Sequence, residues 1–189
     1  MTYPSESAAI KTILVFGGAR SGKSTRAETL VLESGLRPIY VATAGVRDGE
    51  MADRVHHHRE RRGPEWSLVE EQIDIADVIL SKASQQSVVL IDCLTLWLAN
   101  LTFGDHNIDV ETERTCAALK VAPGPVVLVS NELGMGIVPE NKLSRDFRDN
   151  QGRLNQKIAE TVDAVEFVAA GQPIRLKPAA TPRLSLSRM

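Results

Sequence analysis

The residues best suited to chemistry are Gly17-Gly18-Ala19-Arg20-Ser21-Gly22-Lys23-Ser24, spaced as G-x-x-x-x-G-K-[ST]. Glycines let a backbone close around a phosphate without Cβ clashes. Amide groups at the start of a helix then face the anion. In such a loop Lys23 reaches the outer phosphates of a nucleotide and the Ser24 hydroxyl holds Mg²⁺. The pattern carries meaning only between a strand and a helix. Here Ile13-Leu-Val-Phe16 precedes it and a helix-forming run from Thr25 to Glu33 follows.

Three further groups could act beside a bound phosphate. Asp92 closes the apolar run Val88-Val-Leu-Ile-Asp92, where a protein with this loop keeps the acid that orients Mg²⁺ and its water. Its other reading is a cap for the helix that follows. His56-His57-His58 lies among Arg54, Arg59, Arg61 and Arg62. Adjacent residues on a helix point about 100° apart, so the three cannot share one metal face, but one of them can look into a cleft. A neutral imidazole can attack phosphorus, and neighbouring arginines favour the neutral form. The plainer reading is three surface histidines. Glu70 ends a short strand-like run and is either a contact for a base or ribose or a solvated edge carboxylate.

These residues need a frame that gathers them. Strand-length apolar runs occur at Thr12–Phe16, Pro38–Thr43, Ser67–Glu70, Val88–Asp92, Pro125–Ser130 and Ala164–Ala169. They are continuous and rich in Val and Ile, as parallel strands covered on both faces are. Helical stretches alternate with them: Lys23–Glu33, Gly49–Arg62, Ile73–Ser84, Leu94–Phe103, Asp109–Lys120 and Lys142–Thr161. The alternation predicts an α/β fold, a mostly parallel, doubly wound sheet with helices on both faces. Ligands then gather beyond the carboxyl ends of the strands, which would bring the segments after Phe16, Thr43, Glu70, Asp92 and Ser130 to one cleft. Asn131-Glu-Leu-Gly-Met-Gly-Ile-Val-Pro-Glu-Asn141 reads as a shaped loop with an apolar contact surface on that edge. On the helix after it, Leu143, Phe147, Leu154 and Ile158 read as core.

With 189 residues, 43% hydrophobic and 24% charged, the chain can bury one substantial core. Residues 1–11 read as a loose leader, 12–171 as a single nucleotide-binding catalytic domain, and 172–189 as a Pro-rich tail whose Ile174–Lys177 could add an edge strand. The balance of 24 acidic to 22 basic residues, a net charge of −2, offers no basic surplus for nucleic acid or anionic membrane. Cys93 and Cys116 form no metal-type pair and read as reduced and structural. The longest apolar stretch, Val88 to Leu101, contains Asp92 and Asn100 and is too short to span a bilayer. With no secretory signal, a cytoplasmic protein is expected.

Taken together, Ile13–Ser24, Tyr40-Val-Ala-Thr43, Glu50-Met-Ala-Asp-Arg-Val-His-His-His58, Val127–Asn141, Arg145-Asp-Phe-Arg-Asp149 and Gly152-Arg-Leu-Asn-Gln156 resemble one family. It is the bifunctional adenosylcobinamide kinase and adenosylcobinamide-phosphate guanylyltransferase of cobalamin biosynthesis. The resemblance runs from Thr12 to about Gly171. It implies a P-loop, RecA-like fold, a homo-oligomer (usually a trimer), and Mg²⁺ with GTP and ATP as substrates. One activity phosphorylates the aminopropanol hydroxyl of the corrinoid; the other transfers GMP from GTP to that phosphate through a GMP–histidine adduct. Residue by residue, the resemblance puts the nucleophile on His57, with His58 as the fallback. It puts nucleotide contacts on Gly17 to Ser24, on Ala42, Thr43 and Ala44, on His58, Arg59, Glu60 and Arg61, and on Glu70 and Asp92. Ser24 and Asp92 would hold the metal. The family often has Glu where this chain has Asp92, which keeps the charge and shortens the reach. Two rival readings stand beside it: a plain P-loop small-molecule kinase, and a nucleotide-dependent switch that signals to a protein partner.

Overall fold

A computed structural model describes residues 10–44 and 63–178. The helix expected over 49–62 lies outside the described residues. In chain order the elements are β1 (Thr12–Gly17), α1 (Lys23–Glu33), β2 (Arg37–Ala42), β3 (Ser67–Glu70), α2 (Ile75–Lys82), β4 (Ser87–Asp92), α3 (Leu94–Phe103), α4 (Ile108–Lys120), β5 (Val126–Asn131), α5 (Lys142–Thr161), β6 (Ala164–Ala169) and β7 (Gln172–Lys177). They match the expected elements to within two or three residues at each end. The option of an edge strand after Gly171 is realised as β7.

The strands form one sheet in the order β3-β2-β4-β5-β1-β6-β7. Every neighbouring pair is parallel except β6 and β7, which form an antiparallel hairpin. Alternate side chains of the central strands enter two cores, as the pleat requires. Leu14, Val89, Ile91, Val126 and Leu128 pack with Ile75 and Ile79 of α2, Trp97 and Leu101 of α3, Leu119 of α4 and Ile158 of α5. Val15, Val88, Leu90, Val127 and Val129 pack with Ala27 and Val31 of α1 on the opposite face. Coverage of both faces explains the near-continuous apolar runs. Helix α3 buries Leu94, Trp97, Leu98 and Leu101, so it is apolar on nearly every side because it is enclosed.

Adjacent strands β1 and β5 lead into helices on opposite faces, α1 and α5. Their following loops therefore part and leave a crevice at the carboxyl edge, where α/β sheets take ligands.

Candidate functional site

The loop from Gly17 to Gly22 is built from close backbone packing. A Cβ on Gly17 would lie 2.3 Å from the Val168 carbonyl oxygen of β6. Gly22 has φ +97°, and a Cβ there would stand 3.0 Å from Gly171 Cα. Only glycine meets both demands at that point. The Gly171 amide donates to the Ser21 carbonyl at 2.8 Å, so the β6–β7 turn buttresses the loop. Gly22 precedes α1 and provides no side-chain cap, and the first turn of α1 carries no acidic residue. Its amide groups are thus left for an anion.

Lys23 Nζ donates to the Gly18 carbonyl at 3.1 Å. Burial lowers its pKa below the ordinary lysine value, and the nearby Asp92 carboxylate works in the other direction. Lys23 and Asp92 are therefore close enough to interact electrostatically. Burial, then the neighbouring Asp92 carboxylate, pushes the Cys93 thiol up to about 11, so it is a neutral thiol at pH 7 and supports the reading of a structural cysteine. Two residues beyond Ser24, Arg26 forks onto Glu166 of β6, with Nε–Oε2 at 2.8 Å and Nη2–Oε1 at 3.0 Å. Glu166 is buried, and this bidentate pair fixes the start of α1 to the sheet.

The structure places the strand-end candidates on one edge. Asp92 is the register partner of Val129, and Ala42 of both Asp92 and Glu70. Glu70 ends β3, exposed at the rim. Four strand spacings, about 19 Å at 4.8 Å each, separate β3 from β1. Glu70 thus stands at the far end of the cleft from the phosphate loop. Thr43 is fully buried. Its hydroxyl accepts from the Cys93 amide at 2.9 Å and donates to the Cys93 carbonyl at 2.8 Å. What Thr43 does in this structure is join the ends of β2 and β4. Ala44 lies beside it. His57, His58, Arg59, Glu60 and Arg61 lie outside the described residues.

Several residues that shape the site escaped the sequence reading. Asn100 Nδ2 donates to the carbonyls of Thr43 at 2.7 Å and Gln72 at 3.2 Å. Trp97 Nε1 donates to the Ile73 carbonyl at 2.8 Å. The one signal available was an asparagine inside a mostly apolar helix. After β5, both the backbone amide and the Nδ2 of Asn131 donate to Thr95 Oγ1 at 3.1 Å. The Asn131 carbonyl accepts from Asn155 Nδ2 at 3.0 Å, and Asn155 joins Ser130 and Gln151 in a buried cluster. Asn131 pairs in register with Gly17, and the Glu132 amide donates to the Gly17 carbonyl at 2.9 Å. Beyond this root, Met135, Ile137 and Val138 are exposed.

A divalent ion fits the donors present. Ser24 and Asp92 offer a hydroxyl and a carboxylate, hard oxygens of the kind Mg²⁺ accepts, and Mg²⁺ needs only one or two protein ligands beside substrate phosphates. No helix among the described residues is long and apolar enough to cross a membrane.

Fold and site together define a P-loop α/β protein with its phosphate loop at the carboxyl edge of the sheet. A solved structure from Pyrococcus horikoshii OT3, a structural study of Project ID PH0250, shares the fold: TM-score 0.52 and 10% identity, over 88% of this chain and 86% of that one. The chain belongs to the family CobU, cobinamide kinase / cobinamide phosphate guanyltransferase, which matches residues 13–176. It is 47% identical over 166 residues to the bifunctional adenosylcobalamin biosynthesis protein CobP of Pseudomonas aeruginosa, covering 87% of this chain and 96% of that one. It is 41% identical over 180 residues to the bifunctional adenosylcobalamin biosynthesis protein CobU of Escherichia coli K12, covering 87% and 99%.

Proposed function

We propose that the protein phosphorylates the aminopropanol hydroxyl of adenosylcobinamide with ATP or GTP. It then transfers GMP from GTP to the new phosphate and releases pyrophosphate. The observation that carries this reading is the glycine-built loop that opens into α1, in a chain whose residues 13–176 fit the family. Residues 12–171 form the catalytic unit, with β7 added at its edge.

The chain's own groups divide the work. The loop amides and Lys23 grip the outer phosphates, and a pre-set positive site of this kind stabilises charge as it develops in the transition state. Ser24 and Asp92 would hold Mg²⁺, which would supply further charge neutralisation. For guanylyl transfer, neutral His57 (His58 in the fallback register) attacks the α-phosphorus of GTP. A nitrogen–phosphorus bond forms, the bond from the α-phosphorus to its bridging oxygen breaks, and pyrophosphate leaves. The corrinoid phosphate then displaces the imidazole and takes GMP. Arg59, Glu60, Arg61 and the strand-end residues Ala42, Thr43, Ala44 and Glu70 make up the nucleotide's surroundings. We place the enzyme in the cytoplasm, where nucleotides and corrinoid are available, as a homo-oligomer, a trimer by family likeness.

The test is direct. The protein is mixed with adenosylcobinamide, Mg²⁺ and ATP or GTP, and the corrinoid is followed by mass spectrometry. Sequential gain of a phosphate and of a GMP unit is expected. A plain kinase stops at the first product and a switch protein gives neither; either result overturns the proposal.

A further inference from the structure

The kinase step needs a group to receive the proton of the attacking hydroxyl, and we infer that this group is the Glu132 carboxylate. The inference rests on the kinase activity proposed above and adds a catalytic residue to it.

Three observations converge on Glu132. The first is topological. It is the first residue after β5, on the acceptor side of the crevice that opens between the loops following β1 and β5. The second is its anchorage. Its amide donates to the Gly17 carbonyl at 2.9 Å, and the neighbouring Gly18 carbonyl receives Lys23 Nζ at 3.1 Å. The carboxylate-bearing residue is thus tied one residue away from the contact of the ammonium that would grip the transferring phosphoryl group. The third is orientation. Glu132 Oε1 accepts the Gly134 amide, and a Cβ on Gly134 would stand 2.9 Å from that same oxygen. One carboxylate oxygen is used to fix the side chain, and no hydrogen bond from the described residues engages Oε2.

The other strand-end carboxylates serve this role less well. Asp92 interacts with Lys23 and belongs to the metal side. Glu70 is at the far rim, about 19 Å from β1 by strand spacing. The loop that carries Glu132 also exposes Met135, Ile137 and Val138, an apolar surface next to the carboxylate for a bulky acceptor. The step balances: the hydroxyl oxygen bonds to the γ-phosphorus, its proton passes to Glu132, the bond from the γ-phosphorus to the bridging oxygen breaks, and the nucleoside diphosphate departs.

Glu132→Gln separates chemistry from architecture, because a glutamine oxygen can still accept the Gly134 amide while it cannot take the proton. The wild-type enzyme and the variant are compared in two assays: phosphorylation of cobinamide, and guanylyl transfer to ready-made cobinamide phosphate, whose attacking oxygen needs no deprotonation. We expect kcat of the kinase reaction to fall about a hundredfold or more, with KM for the nucleotide and the transfer reaction unchanged. A kinase rate close to wild type overturns the inference. Equal loss of both activities in a folded variant also overturns it, since that marks a structural role. A wild-type protein that forms no cobinamide phosphate overturns the functional reading, and the inference with it.

Discussion

The two loops that flank the crevice leave adjacent strands of one sheet, yet they are held by different means. The phosphate loop is fixed by backbone: glycines pressed against β6 and the β6–β7 turn, with Arg26 and Glu166 pinning the helix behind it. The loop after β5 is fixed by side chains at its root, through Asn131, Thr95, Asn155, Ser130 and Gln151. Its tip is open and apolar. A phosphate is the same in every nucleotide, so backbone amides in a rigid cradle suffice for it. A corrinoid acceptor is large and specific, and a firm root with a free contact surface suits it.

The comparison can be broken at several points. The largest effect is expected from Lys23→Ala. Loss of a pre-set charge at the transferring group lowers turnover by about a hundredfold to a thousandfold. If both reactions hold their nucleotide in this one loop, kinase and guanylyl transfer rates fall together. A variant that loses only one activity separates the two nucleotide sites.

Next is Arg26→Ala, which leaves Glu166 buried without its partner. Breaking a buried pair costs about 3 kcal/mol or more. For a chain of this size, that lowers Tm by about 6–12 °C, measured by calorimetry. An unchanged Tm would mean that the ion pair does not pin the phosphate-loop helix.

The smallest effect, and a control, is at Asp163, on the opposite edge of the sheet. Its partial burial raises its pKa, but bonds from the Thr12 and Lys11 amides and the Thr12 hydroxyl outweigh this, so the net value lies below the ordinary 3.8. A carboxyl lowered on folding stabilises the fold above its unfolded value, and this contribution is lost as pH falls through the folded value. Asp163→Ala should cost about 1 kcal/mol at pH 7, discounted for the residue's exposure. In urea titrations the difference from wild type should shrink below pH 3.8 while activity at pH 7 is unaltered. An activity loss here would show that the edges are coupled.

Most of the fold was legible because both faces of the sheet are covered: continuous Val and Ile runs in β4 and β5 leave little choice but buried parallel strands. The phosphate loop was legible because its glycines answer a local demand that leaves a fixed spacing. The roots of the site were not. Asn100 and Thr43 lie far apart in sequence and meet only when β2 and α3 are assembled. The same holds for Asn131 with Thr95 and Asn155, and for Arg26 with Glu166. Such partners carry no local spacing. Thr43, read as a nucleotide contact, has a hydroxyl already engaged by Cys93. Glu132 was visible only as part of a loop, because its importance comes from the register of Asn131 with Gly17.

The central claim is that nucleotidyl capture belongs to the phosphate-loop side and hydroxyl phosphorylation needs the facing loop as well. Incubation with α-labelled GTP and Mg²⁺, without corrinoid, tests it most directly. Acid-labile label should attach covalently to wild type and to Glu132→Gln, and be lost in Lys23→Ala and His57→Ala. No label on wild type, or label that persists when both His57 and His58 are replaced, would contradict the account.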